Sequence, residues 1–138
     1  MPGRKKSAIS KASPHTIKKF ELIEEYIKSW AQKLLLTESC NGLIYIDCMC
    51  NSGVYTDDAG QLLKGTAVRV SEALREASRT YTEKNIYIYL NDKDKARINE
   101  LKNHLPQDER NFKIVTSCGD AHELLRTIGI QLYGTGHL

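Results

Sequence analysis

The chain has 138 residues, 41% of them hydrophobic and 27% charged, which fits one globular domain with a real core and leaves no room for two. No apolar run approaches the roughly 18 residues of a membrane span, and the basic N-terminus lacks the apolar stretch of a secretory signal, so the expectation is a cytoplasmic protein without a membrane partner. The net charge of +3 is unevenly placed: the first 19 residues hold Arg4, Lys5, Lys6, Lys11, Lys18 and Lys19 and no acid, leaving 14 basic against 17 acidic residues in the rest.

Residues 1–14 therefore read as a basic, flexible arm. Residues 1–19 are a candidate contact for nucleic-acid phosphates, against the plainer reading of a solvated terminus. A helix starts near Ser13-Pro14-His15-Thr16, where Ser13 or Thr16 suits the cap and Pro14 the first turn. Its apolar stripe is Phe20, Ile23, Tyr26, Ile27, Trp30, Ala31, Leu34 and Leu35. Tyr26 and Trp30 are expected to pack this helix on a sheet, with an aromatic binding platform as the rival reading. After a polar loop, Leu43-Ile44-Tyr45-Ile46 is a buried strand that ends in Asp47 and enters Cys48-Met49-Cys50-Asn51-Ser52-Gly53. Val54 to Lys64, with Asp57, Asp58 and Gly60, reads as an exposed, mobile loop.

Gly65-Thr66 opens a second helix with Ala67, Val70, Leu74 and Ala77 inward. Ile86 to Leu90 is the second strand and runs into Asn91-Asp92-Lys93-Asp94. A helix with Ile98, Leu101 and Leu105 inward follows, with Asp94 as its cap and Pro106 as its stop. Phe112 to Val115 is the third strand, followed by Thr116-Ser117-Cys118-Gly119-Asp120, and a last helix carries Leu124, Leu125 and Ile128. Strands alternating with helices predict an α/β, Rossmann-like domain over residues 15–138, three-layered with a parallel sheet and right-handed crossovers. Cys40, Cys48, Cys50 and Cys118 show no CxxC spacing, so they are expected to be reduced thiols and no metal site is expected.

Asp47, Asp92 and Asp120 each fall just past a strand, and such a fold brings those ends to one crevice. Asp92 after the second strand can accept both hydroxyls of a ribose. Asp120, between Gly119 and Ala121, can accept from an adenine amino group, and Asp47 would organise the first loop. The candidate cofactor-binding set is Asp47, Cys48, Met49, Asn51, Ser52, Gly53, Asp92, Lys93, Gly119, Asp120 and Ala121. Capping of helices is the competing explanation for each acid. The first loop lacks G-x-G-x-x-G, and Asp92 lies 39 residues beyond Gly53 against roughly 20 in the dinucleotide fingerprint, so NAD is disfavoured. A cofactor without a pyrophosphate, S-adenosylmethionine, fits better.

His15-Thr16 with Lys19-Phe20 and Tyr26-Ile27-Lys28-Ser29-Trp30 resembles the opening helix of the three-Cys-motif partner family. The resemblance continues through Tyr45-Ile46-Asp47, Ser52-Gly53-Val54-Tyr55, Gly65-Thr66-Ala67 and Asp92-Lys93-Asp94, and covers roughly residues 14 to 125. It implies a class I S-adenosylmethionine-dependent methyltransferase fold, of which this chain has the N-terminal half, truncated before the fourth strand. It also implies a partner protein that itself carries the three cysteines. Asp47 and Gly53 match the first cofactor motif, Asp92 the ribose-binding acid and Asp120 the adenine-side acid. The family's glycine-rich loop is replaced here by Cys48 to Gly53. No general base is nominated; His15, His104 and His122 are candidates by type only. Two alternatives stand beside methyl transfer: a non-catalytic nucleotide- or partner-binding module with a basic arm for nucleic acid, and a reductase half-domain. Methyl acceptor and oligomeric state are left open.

Overall fold

A computed structural model describes residues 8–133, and the side chains of residues 8–129. Helix α1, Pro14–Leu35, begins where expected: the Ser13 hydroxyl accepts from the Thr16 amide at 3.2 Å, and Pro14 takes the first position, where no N–H is needed. Phe20, Ile27, Ala31 and Leu35 form its buried stripe. Ile23 and Tyr26 lie outside it; Tyr26 is 69% exposed, so it does not pack on the sheet. Trp30 is half-buried against the core.

Strands β2 (Gly42–Asp47), β5 (Asn85–Asp92) and β6 (Phe112–Cys118) make a parallel sheet in the order β2–β5–β6. Helix α2 (Thr66–Thr80) connects the first pair and α3 (Lys95–Lys102) the second, as parallel pairing requires. The register aligns Leu43, Ile86 and Phe112, then Tyr45, Ile88 and Ile114. These rows meet Ile27, Ala31 and Leu35 of α1, Val70 and Leu74 of α2, and Ile98 and Leu101 of α3 in one core. Helix α4, Ala121–Tyr133, contacts β5, and none of its described side chains, residues 121–129, belongs to that cluster. The chain is thus a mixed α/β domain whose main sheet is parallel, with four helices among the described residues.

A second, smaller sheet corrects two expectations. Strand β3 (Val54–Thr56) pairs antiparallel with β4 (Leu62–Lys64), so Val54 to Lys64 is a hairpin and not a mobile loop. Its turn is held by Asp57, whose Oδ1 accepts the amides of Ala59 and Gln61 at 2.9 Å each, and by Gly60 at φ +79°. On the other side of β3, β1 (Ser10–Lys11) pairs parallel, and the Ala12 amide donates to Thr56 O at 2.8 Å with Ala12 itself buried. Residues 10–14 of the expected arm are therefore built into the fold. Residues 1–7 lie outside the described part.

Candidate functional site

In a parallel sheet all strands finish at one edge, and here β2 ends on Asp47, β5 on Asp92 and β6 on Cys118. Above that edge lies a cavity of about 510 Å³. Its walls are Cys48 and Met49 from the loop after β2, Asp92, Lys93, Asp94 and Arg97 from the β5–α3 junction, and Asp120, Ala121 and His122 at the start of α4. Six of the predicted site residues meet there: Cys48, Met49, Asp92, Lys93, Asp120 and Ala121. Asp47, Asn51, Ser52, Gly53 and Gly119 are not on its walls.

Gly53 departs furthest from expectation. It is buried at φ +77°, and a Cβ on it would come within 2.4 Å of Leu101 Cδ1 and 2.8 Å of Val68 Cγ2. The glycine is required by the core beneath the loop, not by a ligand above it. Ser52 is fully buried and donates to Val54 O at 2.8 Å. Asn51 turns the chain at φ +60° and its amide donates to Asp92 Oδ2 at 2.9 Å. Asn51 and Ser52 thus position the loop from behind.

Asp92 is 7% exposed. Its Oδ1 accepts the Asp94 amide at 2.9 Å while Oδ2 accepts that of Asn51, so it ties the loops after β2 and β5 together. Each carboxylate oxygen has two acceptor positions, so one remains on each. Asp94 and Asp120 act as caps: Asp94 Oδ1 accepts the Ala96 amide at 2.9 Å and Asp120 Oδ1 the His122 amide at 2.7 Å. Arg97 Nε lies 3.8 Å from Asp94 Oδ2, too far for a hydrogen bond. The Lys93 ammonium and the His122 ring have no hydrogen-bond or ion-pair partner among the described residues. The acids are partly committed to main-chain amides, Arg97 is ion-paired with Asp94, and the Lys93 ammonium is open.

Burial pushes the Asp47 carboxyl above the usual carboxylate range; the Met49 amide, at 3.1 Å, works against this and the charge of Asp92 adds to it. Burial, with the charges of Asp47 and Asp92, pushes the Cys50 thiol up to about 12, and burial with Asp47 takes Tyr45 to about 12. No salt bridge reaches Asp47 or Asp92 among the described residues. By contrast, the cavity of about 390 Å³ between α1 and α2 is lined by matched charges, with Arg69 3.1 Å from Glu24 and Lys64 2.9 Å from Glu72. All four cysteines are free thiols, and among the described residues no group of His, Cys, Asp and Glu is arranged to hold a metal ion.

Arg97 was not apparent in the sequence as a site residue. It is the third residue of α3, and a helix that starts at the cavity rim carries its first-turn residues onto the wall. Asp94, read as a cap, is both cap and wall. Compared with family models, curated proteins and solved structures, the chain gives no match.

Proposed function

We propose that this cavity binds S-adenosylmethionine and that the chain is the cofactor-binding half of a methyltransferase-like protein of three-layer Rossmann-like form. The observation that carries the reading is Asp92: a buried acid at the end of the central strand, on the wall of a cavity flanked by the loops after both neighbouring strands. Ligands of open α/β sheets bind outside the carboxyl ends of the strands, the edge above which this cavity lies. The open acceptor positions of Asp92 suit a vicinal diol, and a cavity of about 510 Å³ lies in the range of small-molecule sites. The open Lys93 ammonium, with Arg97 and the His122 ring on the same walls, suits the carboxylate of the cofactor's amino-acid end. Asp120 and Ala121 form the wall nearest β6, where an adenine ring would lie. A pyrophosphate finds no glycine-rich turn, so NAD fits poorly.

Bound there, the cofactor would supply a methyl group on a sulfonium centre. The chain's own contribution is orientation: Asp92 fixes the ribose and the loop walls fix the two ends, which is how proximity accelerates a displacement. Among the described histidines, His122 lines the cavity. A three-cysteine protein is the partner this reading implies.

Calorimetric titration of the chain with S-adenosylmethionine, S-adenosylhomocysteine and NAD tests the proposal. Saturable binding of the first two and not the third is expected. Asp92→Ala is expected to weaken that binding by about 1–3 kcal/mol, the usual worth of hydrogen bonds to a charged group. No binding of any ligand would sink the reading, and unchanged affinity in the variant would take Asp92 out of the site.

A second reading has its own observation. Lys11, Lys18 and Lys19 are all exposed around β1 and the start of α1, which suits contact of residues 1–19 with nucleic-acid phosphates by a module that performs no chemistry. Binding of a duplex that is lost steeply with added salt, with no cofactor binding, would favour it.

A further inference from the structure

Asn91 is the residue before last in β5 and is only 1% exposed. The middle strand of a parallel sheet is ordinarily apolar at such depth, and a buried amide is costly unless its groups are bonded. Every bond of the Asn91 side chain leaves its own strand. Its Nδ2 donates to Cys48 O at 3.1 Å in the loop after β2 and to Gly119 O at 3.0 Å in the loop after β6. Its Oδ1 accepts from Ser117 Oγ at 2.8 Å, and the two carbonyls, which can only accept, fix the other end of the amide as the donor. The two hydrogens of one NH₂ group diverge, so they hold the two carbonyl oxygens roughly 5 Å apart, one loop on each side of β5. Cys48 begins one wall of the cavity, and Gly119 immediately precedes the Asp120–His122 wall.

Main-chain bonds accompany this bridge. Asn91 O accepts the Cys50 amide at 2.8 Å, and Asp92 O accepts the Gly119 amide at 3.1 Å. Those bonds need no particular side chain at position 91. The bridge from Nδ2 does, because only a planar NH₂ group at this depth reaches both carbonyls at once.

We infer that Asn91 is the positioning residue of the cavity, and that with Ser117 it sets the separation of the Cys48–Met49 and Asp120–His122 walls. That separation selects the length of ligand able to touch both. For its ligand, though not for its geometry, the inference rests on the nucleoside reading above.

The test compares Asn91→Leu and Ser117→Ala with Asn111→Leu, which removes another buried asparagine at the opposite end of the same sheet. Residue-resolved amide exchange of the full chain without ligand is read together with titration of S-adenosylhomocysteine. In Asn91→Leu, exchange at Cys50, Asn51 and Gly119 should accelerate about tenfold beyond any change at the centre of β5, and the Kd should rise about tenfold, the worth of one to two lost hydrogen bonds. Ser117→Ala should accelerate the same amides about threefold, one bond at the low end of that scale. Asn111→Leu should lower stability while leaving those amides in step with β5 and the Kd within about twofold. Acceleration in Asn91→Leu no greater than at the centre of β5, or equal acceleration in Asn111→Leu, would overturn the inference. Should Asn91→Leu fail to fold, the same amides in Ser117→Ala decide. If the unaltered chain binds no nucleoside, the proposed function falls, and amide exchange still decides the role of Asn91.

Discussion

The two ends of the parallel sheet hold similar residues and do different things with them. At the amino end, buried Asn111 sends its NH₂ group to Ser78 O at 2.8 Å and Lys84 O at 2.9 Å, with Tyr81 O at 3.4 Å, tying the end of α2 to the turn before β5. Lys84 in turn donates to Thr37 O and Cys40 O. Each of these donors meets a main-chain carbonyl of the fold itself. At the carboxyl end Asn91 makes the same kind of bridge, but beside it stand Asp47 and Asp92, two carboxylates without an ion pair among the described residues. The acids accept amides from loops that are already fixed, and of the two it is Asp92 that stands on the wall of an open cavity. Buried polar groups at one end are used up by the fold; at the other Asp92 keeps acceptor positions unfilled, and the proposed ligand is read from these.

The sharpest way to break this comparison is at Gly53, because it belongs to the carboxyl end by sequence and to the core by contact. Gly53→Ala places a Cβ against Leu101 and Val68 at a positive φ, and should cost about 3 kcal/mol from overpacking and backbone strain together. Urea unfolding measures it. A cost below about 1 kcal/mol would mean that the loop can move away from the core and that its shape is not set from below.

Next in size is Asn111→Leu, which strands the carbonyls of Ser78 and Lys84 and should cost about 2 kcal/mol in the same assay. Its value lies in what it leaves alone. If cofactor affinity fell with it as far as with Asp92→Ala, the two ends would not be separable and the division of labour between them would fail.

The main sheet and its helices were legible because Ile86 to Leu90 and Phe112 to Val115 are short apolar runs, and because α2 and α3 repeat their apolar residues at helical spacing. The small sheet was not. Val54 to Thr56 and Leu62 to Lys64 are three residues each, separated by Asp57, Asp58 and Gly60, and they become strands only through pairing with one another and with Ser10–Lys11. Tyr26 fits a helical stripe by spacing, but the core that α1 faces is too narrow to reach it. At the site, the acids after β2, β5 and β6 were visible because strand ends are visible. The direction of the loop residues between them was not. Asn51 at φ +60° turns Ser52 and Gly53 inward, and a sequence of small residues reads the same whether it faces ligand or core.

The smallest expected effect concerns Asp47, since an asparagine in its place keeps an oxygen for the Met49 amide. Its carboxyl titrates above its ordinary 3.8 in the folded chain, chiefly through burial. The folded state therefore holds this proton more tightly than the unfolded one. The stability it contributes is complete below 3.8 and is lost as pH rises through the higher folded value. At neutral pH the ionised carboxylate, close to Asp92, is a burden on the fold. Asp47→Asn should then raise the melting temperature at neutral pH, and the two melting curves should converge as pH falls through the folded pKa toward 3.8. A gain that persists unchanged below 3.8 would assign it to packing and not to charge. A loss at neutral pH would mean that the ionised form of Asp47 is itself held by the fold, and that the carboxyl end is less exposed to its own acids than its geometry implies.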